Sequence, residues 1–196
     1  MNLTVVTAPT DDVVTLDEAK AQLRVEGTDN DTYITALLGA ARDYVEQLSH
    51  RALTPQRLRL KLDCFPAEIL LPRPPALSIV SIGYVDSAGD EQSVGASLYQ
   101  ADLSGEPARI RPAYGASWPT ARGVLNAVTV DWWAGYDNGA SPYEGASVPP
   151  GLHHAIKLMV THWYEQRAPV VAGGPPARVP MAAEQLILMH RPGIIA

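Results

Sequence analysis

Cysteine is almost missing from this chain. Cys64 is the only one in 196 residues, which excludes an internal disulfide framework and fits maturation in a reducing compartment. Basic charge is also scarce. Lys and Arg total 15 against 21 Asp and Glu, a formal net charge of -6, and such a balance repels phosphate backbones and argues against sequence-specific reading of DNA. No apolar run approaches the roughly 20 residues that a membrane span needs. The segment Met1 to Pro9 lacks the basic start and apolar centre of a signal peptide, so a cytoplasmic origin is expected.

The motifs of catalysis are missing as well. A nucleophile elbow needs Gly-x-Ser-x-Gly after a strand, and Gly95-Ala96-Ser97, Gly115-Ala116-Ser117 and Gly139-Ala140-Ser141 all lack the second glycine. Neither a phosphate-cradling glycine loop ending in Lys-Ser/Thr nor a Gly-x-Gly-x-x-Gly fingerprint occurs, so nucleotide chemistry is unsupported. His153, His154 and His162 invite a metal reading, but helical ligand pairs sit at i and i+4, and Leu158 occupies the place that would complete one. Asp29 and Asp31 resemble the start of a calcium loop, yet Ile34 and Ala40 stand where its glycine and closing glutamate belong. Helix capping accounts for the aspartates. No metal, cofactor or catalytic residue is expected.

What is present is a hydrophobic fraction of 46% with 18% charged residues, enough to bury a core. Thr15-Leu16-Asp17-Glu18 is a capping box, in which the threonine and the glutamate three residues on satisfy each other's free amides. It predicts a short helix to about Val25. Gly27 and Asp29-Asn30-Asp31 then open a second helix, where Ile34, Leu37, Leu38, Ala41, Val45 and Leu48 recur at helical spacing. From Gln56 the period becomes two. Arg57 to Cys64 alternates, so Leu58, Leu60, Leu62 and Cys64 fall on one face of a half-buried strand, and Cys64 is expected to be a buried, inert thiol.

Further strands are expected at 69–71, 77–85, 98–100, 108–111 and 125–133, with Asp86 to Asp90 as a turn. Together they predict a small antiparallel barrel or sandwich, closed by a loop over 134–148. Trp132, Trp133, Tyr136, Trp118 and Tyr114 fit sheet core better than a sugar platform, because alternation buries at least one of the adjacent tryptophans. Arg109, Arg111 and Arg122 are suited to an acidic partner but too few for nucleic acid.

A third helix is expected from Pro149, with Leu152, Ala155, Ile156, Met159, Val160 and Trp163 as its apolar stripe. The core residues singled out are Leu37, Leu38, Val45, Ile156, Met159 and Trp163. Val170 to Val179 is rich in Gly and Pro, and the tail beyond it, Pro180 to Ala196, crowds Leu186, Ile187, Leu188, Met189, Ile194 and Ile195 together. Met181 to His190 predicts a fourth helix too short to stand alone. With little before it to fold it back on its own domain, the tail is expected to order on a partner.

The fold expectation is therefore α+β. A helical part spans 1–55, a β insertion 56–147, a helix completing the helical core 148–168, and a flexible linker with a docking tail 169–196.

Taken in order, three stretches resemble head-tail connector, or adaptor, proteins of tailed bacteriophages and gene transfer agents. These are Thr15 to Val25 (TLDEAKAQLRV), the helix over 29–52 ending in Leu53-Thr54-Pro55-Gln56, and Val128 to Tyr136 (VTVDWWAGY). Val148-Pro149-Pro150-Gly151-Leu152 and His162 to Arg167 (HWYEQR) extend the resemblance to nearly the whole chain. It implies a non-enzymatic virion component at the head-tail junction, assembled as a ring of about twelve copies. It further implies a C-terminal segment docking in the portal protein, a stopper or other neck protein at the far end, and double-stranded DNA passing through the lumen without specific binding. Portal docking would then fall to Leu186, Leu188, Met189, Arg191, Ile194 and Ile195. The alternatives are another neck protein, such as a stopper or tail terminator, and, further off, a small hydrolase or a carbohydrate-binding module.

Overall fold

The computed structural model describes residues 2–137, 147–166 and 181–193. The chain begins with β1 (Asn2–Thr7), a strand absent from the sequence expectations. Helix α1 (Leu16–Leu23) starts at the capping box: the Glu18 amide donates to the Thr15 hydroxyl at 3.2 Å and the Thr15 amide donates to the Glu18 carboxylate at 3.0 Å. Helix α2 (Asp31–Ser49) ends at His50, whose φ of 56° is left-handed, so it stops short of the expected Ala52. Ile34, Leu38, Ala41 and Val45 are buried; Leu37 and Leu48, on the flank of that stripe, are only half-buried.

Then come β2 (Gln56–Leu62), β3 (Ile69–Leu71), β4 (Ala76–Val85), β5 (Glu91–Ser93), β6 (Tyr99–Asp102), β7 (Ala108–Pro112) and β8 (Val128–Ala134). All strand pairs are antiparallel, in a five-stranded sheet ordered β1-β2-β8-β4-β5 and a three-stranded sheet ordered β3-β7-β6. Neither sheet closes on itself among the described residues, so the β part is two open sheets and not a barrel. They share a core: Leu58, Leu60, Ile82, Val130 and Trp132 from the larger sheet meet Ile69, Leu71, Ala108 and Ile110 from the smaller. Register explains the choice, since Leu58 and Ile79 both face Trp132, and Leu60 and Ile82 both face Val130.

Trp132 is fully buried, worth roughly 2–3 kcal/mol of apolar transfer. Its neighbour Trp133 points the other way, as alternation requires. Cys64 corrects its expectation: β2 ends at Leu62, the alternation lapses, and the thiol is exposed.

On the opposite face of the larger sheet, the side chain of Asp131 is almost wholly buried between two arginines. It accepts from Arg57 at 2.6 Å and from Arg59 at 2.7 and 2.9 Å. Burial alone would raise its pKa, but hydrogen bonds and charge from Arg59 and Arg57 outweigh that and hold it below the usual aspartate value.

Helices α3 (Pro150–Glu165) and α4 (Met181–Leu188) complete the second core. Leu152, Ala155, Ile156, Met159 and Val160 bury against α2, while Trp163 lies half-buried at its margin, edge-on to Tyr44 with centroids 6.4 Å apart. Gly135 ties the two cores together. Its φ is 130°, and a Cβ there would sit 2.3 Å from the Thr54 carbonyl oxygen, so only glycine admits the crossing. Beyond it, Tyr136 enters the helical core. Residues 138–146 of the expected loop and 167–180 of the expected linker lie outside the described residues.

Candidate docking surface at the C-terminal end

Helix α4 carries a buried side and an open one. Ala183 and Ile187 are fully buried in the helical core and Leu186 packs against it. Against the expectation that little would fold the tail back on its own domain, α4 packs against α2 and α3. The Tyr44 hydroxyl donates to the Glu184 carboxylate at 3.2 Å, which fixes the rotation of α4. Burial first, then the adjacent Glu184 charge, raise the Tyr44 pKa, so the phenol stays protonated and able to donate. On the open side stand Met181 at 74% exposure, Leu188 at 47% and Met189 at 80%. Arg191 is exposed beside them.

The end of the tail is held by groups that the sequence did not single out. The buried Arg51 donates through Nε to the His190 carbonyl, through Nη1 to Glu106 at 2.7 Å and to the Tyr136 hydroxyl at 2.9 Å, and through Nη2 to Glu106 again. One side chain thus ties the end of α2, the β6–β7 loop, the residue beyond Gly135 and the end of α4. Nearby, Arg191 donates to Nε2 of His50 at 2.6 Å. Burial, with the Arg191 and Arg73 charges, lowers the His50 pKa and keeps the imidazole a neutral acceptor. Opposite, the His190 ring lies where a side chain on Gly151 would be: a Cβ there would approach it to 2.7 Å. No periodic pattern marks Arg51, His50 or His190, because their partners are 55 to 141 residues away in the chain.

Of the six residues assigned to docking, Leu188, Met189 and Arg191 are exposed in the structure. Leu186 is turned partly into the core, and Ile194 and Ile195 lie outside the described residues.

The other candidates disperse. Lys157 pairs with the Glu18 carboxylate at 3.3 Å and His153 lies 3.5 Å from the same carboxylate, contacts that tie α3 to α1. Among the described residues no group of three His, Cys, Asp or Glu is placed to hold a metal ion. Arg109 pairs with Asp102 at 2.7 Å and Arg111 with Glu68 at 2.6 Å, so these arginines already meet acidic partners within the chain. The hydrogen bonds from Arg109 and Ser104 pull the Asp102 pKa down to about 2. Trp118 stacks on Phe65 with centroids 4.9 Å apart, Trp132 is core, and Tyr114 stands alone in solvent, which leaves no shared aromatic platform.

The described residues form a helical core carrying two sheets. Residues 13–76 match the model of the family described as Phage gp6-like head-tail connector protein. The whole chain superposes on a chain from the neck of an empty gene transfer agent (GTA) particle computed with C6 symmetry, at 26% identity, a TM-score of 0.74 and coverage of 100% of this chain and 98% of that one. The likeness is thus to a head-tail connector over 13–76 and to a particle neck over the full length. Two further solved structures agree with the same coverage: a chain of the virion of a native GTA particle, at 26% identity and a TM-score of 0.76, and one of the neck of a native GTA particle computed with C12 symmetry, at 25% and 0.73. Among curated proteins none matches this chain. The family match covers α1, α2, β2, β3 and the start of β4, so the likeness of the remaining helices and sheet rests on the full-length superpositions.

Proposed function

We propose that this chain is a head-tail connector and forms a ring of about twelve copies at the head-tail junction of a phage-like particle, beneath the portal, with a stopper or other neck protein at its far end. The observation that carries this is the full-length superposition on neck chains, one of them from a particle computed with C12 symmetry. The role is structural, without catalysis. The C-terminal segment, with Leu186, Leu188, Met189, Arg191, Ile194 and Ile195, enters the portal; its sequence combines apolar residues with one cation. A net charge of -6 suits a lumen along which DNA slides without being held.

Immunogold electron microscopy of purified tailed particles, with mass spectrometry of the same preparation, tests the reading. Gold at the head-tail junction is the expected result. Intact particles that contain none of this chain would overturn it.

A further inference from the structure

Among the described residues, the five-stranded sheet has an open stretch on each side: β1 at one edge and, beyond the short β5, the first part of β4 at the other. Soluble proteins normally protect such edges with charges, prolines or a covering element. Yet β1 reads Asn-Leu-Thr-Val-Val-Thr and β4 reads Ala-Leu-Ser-Ile-Val-Ser-Ile-Gly-Tyr-Val, with neither a charge nor a proline in either. β1 pairs only with β2 among the described residues, and Val5 and Val6 are 56% and 43% exposed. At the other edge the short β5 covers only Gly83–Val85 of β4, and the Val94 amide closes on the Ile82 carbonyl. The stretch Ala76–Ser81 is left with β8 as its only strand neighbour among the described residues, and Val80 is 42% exposed there.

The two edges are matched. Each open stretch is six residues long and uncharged, with valine outward. Because the sheet alternates direction, β1 and β8 run one way and β2 and β4 the other. A second copy in the same orientation would therefore lay its β1 antiparallel to the open stretch of β4. The register shifts at Val5/Thr7, Ala76/Ser78 and Ile79/Ser81 bend these same strands, as a sheet carried around a closed assembly requires. The two surfaces differ, so the contact is heterologous, and repeated rotation closes it into a ring.

Resting on the ring reading above, we infer that neighbouring copies of this chain join by strand addition, β1 of one copy pairing with Ala76–Ser81 of the next. Backbone hydrogen bonds supply affinity, and the facing valines set the register.

The test uses particles from a culture in which variants replace the natural chain. In a Cys64→Ser background, Val80→Cys is combined in turn with Thr4→Cys, Val5→Cys and Val6→Cys, and particles are oxidised with diamide. A disulfide closes only where Cα atoms come within about 7 Å, so at least one pair is expected to give a non-reducing ladder rising by one chain per step, absent from each single-cysteine variant. Matching thermal melts of the reduced variants and the natural chain show that the fold is intact. Particles that retain the chain at the junction yet yield only monomer with all three pairs would overturn strand addition and leave the connector reading standing. Single-cysteine dimers would overturn it too, because they place like edges together. Particles without the chain would sink both.

Discussion

The helical half and the β half of this molecule are assembled in opposite ways. Apart from β1, the β half comes from one continuous stretch, 56–134, and closes within it: β4–β5 and β6–β7 pair across short connections, and β2–β8, β3–β7 and β4–β8 across longer ones. The helical half is closed across the length of the chain: Tyr44 on α2 meets Glu184 on α4, and Lys157 on α3 meets Glu18 on α1. A local insert tolerates changes elsewhere, whereas a core closed by its last helix depends on that helix. The two proposed contacts divide in the same way, with a sheet edge for further copies of the chain and the C-terminal end for a different partner.

Deleting the residues after Arg178 strikes that dependence hardest. It removes Ile187 and Ala183 from the helical core, a loss on the order of 3–5 kcal/mol. A thermal melt should show the helical signal failing first, while Trp132 fluorescence persists to higher temperature. Coincident loss would mean that the halves fold as one unit. Met159→Ala and Trp132→Ala, each leaving a cavity at a fully buried site, should cost about 2–5 kcal/mol in their respective halves by denaturant titration. Trp163→Ala should cost less than either, since that ring is only half-buried.

Arg51→Ala severs the link between the halves. Hydrogen bonds to charged groups contribute about 1.5–3 kcal/mol, and the variant should also speed amide exchange at the end of α4, while Arg109→Ala on the surface should not. Asp131→Asn sharpens the comparison by pH. The folded Asp131 pKa is depressed, so its stabilisation is present above the ordinary aspartate value of about 4 and is lost as pH falls through the lower folded value. The variant should therefore lose less stability than the natural chain on acidification below about pH 4. His153→Ala, at a partly exposed contact with Glu18, should move the melt least, by about 0.5 kcal/mol or less.

The helices were legible because each signal is local. A capping box, a stripe at 3.6 residues and a proline at a helix start each need only a dozen residues to show, and Leu38, Val45, Ile156 and Met159 fall in the core as their spacing requires. The strand over 56–62 was legible for the same reason. β1 was not, because five of its six residues are exposed and its sequence has no alternation to read. Cys64 misled because alternation runs on in sequence for two residues after pairing has ended at Leu62. The fate of α4 depended on a groove formed by α2 and α3, and no pattern within 181–188 reveals that groove. Within the candidate docking surface the apolar residues stood out in sequence, but which face outward is decided by the burial of Ile187, and the Arg51 cluster left no local trace.

The most direct test of the proposed docking is portal attachment of a chain carrying Leu188→Asp and Met189→Asp. Both side chains are exposed, so the account predicts an unchanged melting temperature together with loss of the chain from purified particles and from isolated portal rings. Normal attachment of this variant to the portal would contradict it.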